Sequence, residues 1–541
     1  MIKHYICSKY DINDVIVNSK DMKNIANRIL NRTGLIKKTT WLRITFILTG
    51  IASTIWFLIR VIPKPQRATY PCMRVAAPVM SGFVVYLLSL VGSVAAFKRA
   101  KLNFIRSDYL YGSFFLLIAL AGFLFVTGRE TGSAAAKSNA EWVIMPNQPV
   151  GTAKGIFPGR VVWVHDPVVA RWDGTTGNWW DENVTSQSET DKMMKESLIA
   201  LTGAKTEKKA WTALFRYFNS RHGRKNQDYK PGQKIAVKIN TNNTYGHEDS
   251  PEINATPQMV LSLLKSLVSE AGIPQVNITV FDASRFIPDN IFNKCHPVYP
   301  DVVFVDNAGG NGRTKSSYVD NAIPYSIDNG KLATGLATCA VEADYLINMA
   351  LLKGHVGQGV TLCAKNYYGV TSIYSNWRKN AHNNFNPDRE GKPHYLTFVD
   401  YMAHKDLGNK TMLFLIDGVY GSRLVNGPPA PKWKMEPFND SWACSLFASQ
   451  DPVAIDAVGL DFLRCEFPDA PDMAFSDQYL IEAALADNPP SKAKYDPQRN
   501  NAGISSLGVM EHWNNAKEKK YSRNLGKKEG IELVQKSIPV K

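Results

Sequence analysis

Three segments between residues 235 and 281 decide the fold class: IAVKIN (235–240), TPQMVLSLLKSLVSEAG (256–272) and ITVF (278–281). The first and last are short apolar runs rich in β-branched residues, which predict buried strands. The middle segment repeats apolar residues at helical spacing, and Thr256 is its candidate N-cap. Strand, helix and strand in succession form a βαβ unit, so we predict an α/β domain with a mostly parallel sheet flanked by helices.

The alternation of strand-like and helical segments continues over residues 153–541, which we predict to form this domain. The composition agrees, because 45% hydrophobic and 21% charged residues in a chain of 541 are ordinary for a globular protein. Asp451 directly precedes a predicted helix and is its expected N-cap. Further strands are predicted at 161–164, 302–305, 345–349 and 412–416, and further helices at 190–202, 207–219 and 452–466.

The net charge of +15 is concentrated near the N-terminus. Residues 1–140 carry 19 Lys and Arg against 5 Asp and Glu, whereas residues 141–541 carry 44 against 43. The large C-terminal part therefore has no bulk electrostatic attraction to a polyanion, and we expect no nucleic-acid partner.

Three long apolar stretches, at 44–62, 76–97 and 109–127, lie within this basic region. Each is long enough to cross a bilayer as a helix, which needs about 20 mostly apolar residues. Buried core helices are the alternative, but three such runs joined by short basic loops are difficult to enclose in a soluble fold. We therefore predict that an N-terminal bundle of three transmembrane helices precedes the α/β domain and makes the lipid bilayer a partner.

The distribution of basic residues predicts the orientation of the bundle. Nine Lys and Arg residues flank the spans on the side of the N-terminus, and six flank them on the other side. Because basic residues accumulate on the cytoplasmic side, residues 1–43 are predicted to be a basic cytoplasmic segment. Residues 128–152 are small and polar and are predicted to be a linker, which leaves the α/β domain outside the cytoplasm.

The cysteines offer no recognisable metal-binding cassette. No CxxC pair occurs, and no cysteine and histidine residues have zinc-finger spacing. An iron–sulfur cluster is therefore not expected, and the cysteine pattern leaves the identity of any cofactor or metal unknown. The seven cysteines are Cys7, Cys72, Cys295, Cys339, Cys363, Cys444 and Cys465.

Polar residues follow or end several of the predicted strands. Ligands of parallel sheets bind at the carboxyl ends of strands, so these side chains are candidate ligand-binding residues. One further carboxylate, Asp456, lies on an otherwise apolar helix and needs a partner if it faces inward. The candidate ligand-binding residues are Lys238, Asn240, Asp282, Asp417 and Asp456.

The segment LLKGHVGQGVTLCAKNYYG at 351–369 holds the densest set of candidate catalytic residues. A histidine, two lysines and an asparagine could serve as a general base, anion ligands and an oxyanion donor. The alternative is a structural turn whose histidine bonds a nearby carbonyl group. The candidate catalytic residues are Lys353, His355, Lys365 and Asn366.

We expect these residues to converge with those of the neighbouring strand ends on one pocket, because parallel strand ends share one edge of a sheet. Two lysines in one pocket repel each other unless carboxylates or an anionic ligand offset them. The expected ligand is a small anion or a metal held by His355 and carboxylates. The anion is favoured, because no triad of residues has metal-ligand spacing.

Five motifs resemble the bacterial family known as domain of unknown function 362. The resemblance covers about residues 155–530 and rests on several separated motifs in the same order. They are VKIN (237–240), TPQMVLSLLKSLVSEAG (256–272), INMALLKGHVGQGVTLCAKNYYG (347–369), LIDGVYG (415–421) and SQDPVAIDAV (449–458).

The resemblance extends to an exported, membrane-anchored subgroup that lacks the ferredoxin-like cysteine cluster of other members. This subgroup agrees with the placement of the α/β domain outside the cytoplasm that the basic residues predict. The apolar stretches and the charge count together predict a multi-pass protein of the bacterial inner membrane with its C-terminal domain in the periplasm. The family implies no activity, so two classes of function remain open. One is a membrane-anchored enzyme with a polar site at the strand ends, and the other is a non-catalytic, membrane-tethered binding or assembly module.

Overall fold

The computed structural model describes residues 51, 54, 55, 59, 92–103, 109–128, 144–375 and 377–539. The chain divides into two compact units, Met1–Ala135 and Ala136–Lys541.

The first unit contains helical residues at 92–103 and the helix α1 at Tyr109–Gly128. Side chains of α1 are described for 109–111 and 113–119. Within the described residues, no helix has both the length and the apolar character that a membrane span requires. The predicted spans at 44–62 and 76–97 lie mostly outside those residues, and the three-helix bundle stays a prediction.

The second unit is built on a ten-stranded sheet, with two further pairs of strands beside it. The strands are β1 (Val150–Gly151), β2 (Arg160–His165), β3 (Ile235–Lys238), β4 (Ile278–Asp282), β5 (Val303–Asp306), β6 (Thr314–Lys315), β7 (Tyr318–Pro324), β8 (Ala333–Ala337), β9 (Tyr345–His355), β10 (Gly359–Thr361), β11 (Thr411–Ser422), β12 (Ser445–Ser449), β13 (Val509–Met510) and β14 (Glu532–Ser537).

The large sheet has the order β14-β2-β12-β11-β9-β3-β4-β5-β6, and β10 pairs with β9. Six of its strand pairs are parallel, and three are antiparallel because β12 and β10 run against their neighbours. The predicted α/β class with a mostly parallel sheet is confirmed. The antiparallel strand β12 between β2 and β11 was not predicted.

Helices cover both faces of the sheet. They are α2 (Gln187–Thr202), α3 (Glu207–Arg221), α4 (Pro257–Lys265), α5 (Asp289–Cys295), α6 (Thr338–Glu342), α7 (Cys363–Asn366), α8 (Trp377–Asn383), α9 (Thr397–Ala403), α10 (Pro452–Glu466) and α11 (Gln478–Ala484). The predicted helix at 256–271 is α4 followed by a π-helical turn at Ser266–Glu270.

Two hydrophobic clusters fill the space between the sheet and these helices. Along β9, Leu346 and Ala350 belong to the cluster shared with α10, whereas Ile347 and Met349 belong to the cluster shared with α2, α3 and α4. Successive side chains of a strand point to opposite faces, so a central strand covered on both faces is apolar throughout. This burial explains the continuous apolar runs from which the strands were predicted.

The predicted caps of two helices have different outcomes. Oδ1 of Asp451 accepts hydrogen bonds from the backbone N–H groups of Val453 and Ala454 at 3.1 and 2.9 Å, which confirms Asp451 as the N-cap of α10. Thr256 occupies the N-cap position of α4 as predicted, but its side chain makes no capping bond to the helix. Its hydroxyl instead donates to Oδ1 of Asp417 at 3.1 Å.

Candidate functional site

A cavity of about 610 Å³ lies where β3, β4 and β9 end. These strands are parallel neighbours, so their carboxyl ends meet at one edge of the sheet, where such folds bind ligands. Six of the nine residues predicted from the sequence line this cavity: Lys238, Asn240, Asp282, His355, Lys365 and Asn366.

The floor of the cavity is an ion pair between Lys238 and Asp282. Nζ of Lys238 lies 3.0 Å from Oδ2 of Asp282, and the two side chains are only 2% and 3% exposed. Burial opposes ionisation of the carboxyl, but the charge of Lys238 and hydrogen bonds from Thr241 and Ser284 outweigh it and lower the pKa of Asp282. Asp282 is therefore an anion whose charge is already matched by Lys238.

The backbone of Gly369 packs directly over this ion pair. A Cβ atom at residue 369 would lie 2.7 Å from Nζ of Lys238 and 2.8 Å from Oδ1 of Asp282. Such distances are too short for non-bonded atoms, so only glycine fits without displacing the pair.

Asn366 connects the ion pair to the sheet. Its Oδ1 accepts from Nζ of Lys238 at 3.0 Å and from Nδ2 of Asn240 at 3.1 Å. Its Nδ2 donates to Oδ1 of Asn348 at 2.8 Å and to the carbonyl of Met349 at 3.2 Å. Both ends of this amide are engaged with protein atoms, so Asn366 positions Lys238 and Asn240. Because its Nδ2 already donates to the protein, its hydrogen bonds do not support the predicted role as an oxyanion donor.

Lys365 is the cation of the cavity wall that has no acceptor. It is 9% exposed, and within residues 144–375 and 377–539 no hydrogen bond or ion pair to its Nζ is found. Its Nζ lies 4.9 Å from the ring centre of Phe385 and 5.9 Å from that of Tyr368. Burial, reinforced by the charge of Arg378, lowers the pKa of Lys365 to about 7.

Two arginines that were not predicted also line the cavity. Arg285 donates to the carbonyl groups of Asn242 and Ser284 at 2.7 and 3.0 Å. Arg378 donates to Oγ1 of Thr371 at 3.1 Å and stacks 3.9 Å above the ring centre of Tyr368. Neither arginine has a carboxylate partner in the described part of the chain, so both add net positive charge to the cavity.

Two histidines complete the wall. Nδ1 of His355 lies 2.5 Å from the carbonyl oxygen of Val356, which assigns the ring proton to Nδ1 and leaves Nε2 with a lone pair. Burial, together with the charge of Lys365, lowers the pKa of His355 to about 2. Burial likewise lowers the pKa of His382 to about 4. Both rings are therefore neutral at pH 7, and a pKa this low makes His355 a weak proton acceptor there.

Lys353 does not line the cavity, although it was predicted as a catalytic residue. Its side chain is fully buried, and its Nζ lies 3.4 Å from the carbonyl oxygens of Ile253 and Val425. Burial lowers the pKa of Lys353 to about 7. The ammonium thus joins two loops beside the cavity wall.

Asp417 and Asp456 are also absent from the cavity lining, and each accepts hydrogen bonds from backbone N–H groups at a helix start. Oδ2 of Asp417 accepts from the backbone N–H of Thr256 at 2.7 Å, at the start of α4. Asp456 accepts from the N–H groups of Cys363 and Ala364 at 2.8 and 2.9 Å, at the start of α7. A helix start leaves N–H groups without partners, and these carboxylates satisfy them. The structure therefore gives no support to the prediction that Asp417 and Asp456 bind a ligand in this cavity.

The hydroxyl of Thr361 is a second unpartnered group of the cavity wall. Thr361 is 2% exposed, and its Oγ1 has no hydrogen-bond partner among the described residues. A buried hydroxyl without a partner is energetically unfavourable unless a ligand or water binds it.

The predicted alternative of a metal site has no support in the geometry. Across residues 144–375 and 377–539, no group of three His, Cys, Asp or Glu side chains is placed to hold a metal ion. His355 lines the cavity beside cationic side chains, while the one carboxylate of the lining is paired with Lys238. The arrangement suits a negatively charged ligand better than a cation.

Comparison with known proteins agrees with the motifs. The family model described as "Domain of unknown function (DUF362)" matches residues 235–461, from β3 into α10. The resemblance to this family inferred from the motifs is confirmed over these residues, and the exported, membrane-anchored subgroup stays a prediction. No curated protein and no solved structure gives a significant match.

Proposed function

We propose that the α/β unit binds a small anionic molecule in the cavity at the strand ends. The observation that carries this proposal is the charge of the lining. Three cations, Lys365, Arg285 and Arg378, line the cavity without a carboxylate partner among the described residues. The one lining carboxylate, Asp282, is already neutralised by Lys238. An anion relieves the repulsion among these cations and gives each a charge-assisted partner.

The size and lining of the cavity favour a metabolite-sized ligand. A volume of about 610 Å³ lies within the ordinary range of small-molecule pockets. The amides of Asn240 and Asn242 and the hydroxyl of Thr361 add polar groups that can orient such a molecule. A carboxylate or phosphate group is the expected anionic part, because arginine side chains bind both through paired N–H donors.

Calorimetric titration with sulfate tests this proposal. We expect saturable binding to one site, with affinity lowered about 10–100-fold in Arg378→Leu, because a hydrogen bond to a charged group contributes about 1.5–3 kcal/mol. Arg389→Leu is the matched control, because Arg389 is exposed, pairs with Asp472 and lies outside the cavity lining. Equal affinities of the two variants would contradict an anion site at this cavity.

We further propose that the N-terminal region anchors the protein in the bacterial inner membrane with the α/β unit in the periplasm. The support is the apolar sequence at 44–62, 76–97 and 109–127 and the basic residues that flank it. Alkaline phosphatase fused after residue 143 should be active, and green fluorescent protein fused at the same residue should be dark. The reverse pattern would place the α/β unit in the cytoplasm.

A further inference from the structure

The lining lysines of the proposed anion site differ in how many partners they have. Lys238 is engaged by Asp282, by Asn366 and by the carbonyl of Ile239. Lys365 has none of these: it is nine-tenths buried, lines the cavity and packs against aromatic rings. An amine with no acceptor, held inside a cavity, is the arrangement in which lysine acts as a nucleophile.

We propose that Lys365 forms a Schiff base with an anionic carbonyl compound of the 2-oxo acid class. This inference rests on the anion site proposed above and names the class of molecule that the site accepts.

The surroundings of Lys365 supply the neutral amine that the reaction needs. Only an unprotonated amine attacks a carbonyl carbon, and a lysine in water is almost fully protonated at pH 7. Burial and the charge of Arg378 lower the pKa of Lys365 to about 7, so a substantial fraction is neutral there. No carboxylate of the described residues pairs with Lys365 to oppose this effect.

The same positive charges select the substrate. Arg378 and Arg285 line the cavity with Lys365 and have no carboxylate partner in the described part of the chain. A 2-oxo acid carries its carboxylate on the carbon next to the carbonyl group. When an arginine binds that carboxylate, the neighbouring carbonyl carbon is held near the amine, and proximity of this kind accelerates addition.

The reaction balances without an oxidant, a reductant or a second substrate. Nζ of Lys365 adds to the carbonyl carbon, a C–N bond forms as the C=O π bond breaks, and one proton of the amine passes to the oxygen to give a neutral carbinolamine. The carbinolamine hydroxyl then takes a second proton and leaves as water, while the nitrogen lone pair forms the C=N bond. The second proton comes from solvent in the cavity, because a pKa of about 2 makes His355 too weak a base to carry it at pH 7.

Reductive trapping on the full-length protein tests the proposal. Pyruvate and sodium borohydride are added together, and the protein is digested and mapped by mass spectrometry. We expect about one reduced adduct per chain, on the peptide that contains Lys365, with yield that saturates in pyruvate and falls when sulfate competes. Labelling spread over many lysines without saturation, or absent from Lys365, would overturn the proposal.

Two variants distinguish a failure of the Schiff-base proposal from a failure of the anion-site proposal. Lys365→Arg keeps a positive charge and loses the reactive amine, so we expect sulfate binding within about tenfold of wild type and no adduct. Lys392→Met removes an exposed lysine outside the cavity and should leave labelling unchanged. If wild type binds sulfate and pyruvate leaves no adduct on Lys365, the Schiff base is refuted and the anion site stands. If neither anion binds, both proposals fail.

Discussion

Replacing Asp282 with alanine is expected to lower the free energy of unfolding of the α/β unit by about 3–5 kcal/mol, because a buried charge is left without its partner. The ammonium of Lys238 would keep Asn366 and the carbonyl of Ile239 as acceptors and lose the carboxylate at 3.0 Å. Urea unfolding, followed by circular dichroism, measures the change as a shift of the midpoint.

Two further variants test whether the lost free energy of unfolding comes from the unpaired charge of Lys238. Asp282→Ala combined with Lys238→Met removes both charges and should recover part of the stability, because an apolar pair of similar volume tolerates burial. Asp282→Asn retains one oxygen, which can accept from the N–H group of either Thr241 or Ser284 but not from both, because these groups bond different oxygens of Asp282; it should be milder than alanine. A loss below about 1 kcal/mol in Asp282→Ala would show that the carboxylate does not stabilise the fold through Lys238.

Lys365→Met is expected to weaken sulfate binding about 10–100-fold at pH 6, where the wild-type side chain is protonated, because a charged hydrogen-bond donor is lost. Above pH 7 an increasing fraction of Lys365 is neutral in the free wild-type protein. Because sulfate binds the protonated side chain, binding is then coupled to the uptake of a proton. Wild-type affinity should then fall by up to about tenfold per pH unit until the pKa of the bound state is reached. The difference between variant and wild type should shrink over the same range.

Sulfate keeps a constant charge between pH 6 and 9, and so do the two histidines of the cavity wall. His355 and His382 have pKa values of about 2 and 4 and are therefore neutral throughout this range. Lys353 titrates near pH 7 as well, but it remains in the variant and lies outside the lining. A pH profile of equal steepness in wild type and Lys365→Met would contradict the assignment to Lys365.

The part of the site formed by neighbouring strands could be predicted from the sequence. Lys238 and Asp282 end β3 and β4, which are parallel and adjacent, so periodicity and the βαβ pattern suffice to bring them together. Arg285, three residues beyond the end of β4, could have been found by extending the same argument along the loop.

The remaining residues depend on tertiary contacts that no local pattern reveals. Asp417 pairs in register with Leu351, well before β11 ends at Ser422, so it does not lie at a strand end. Asp456 reaches the start of α7 from a helix distant in sequence. Arg378 lies on α8, outside every motif, and reaches the cavity only through the folding of the segment between β10 and β11.

The location of a bound anion in crystals of the α/β unit tests the central claim most directly. Crystals grown without sulfate or phosphate and soaked in selenate would show the anion by the anomalous scattering of selenium. We predict a strong peak inside the cavity, within hydrogen-bond distance of Lys365 and of Arg378 or Arg285. Selenate peaks confined to the outer surface, with none in the cavity at a concentration that saturates binding in solution, would contradict the account.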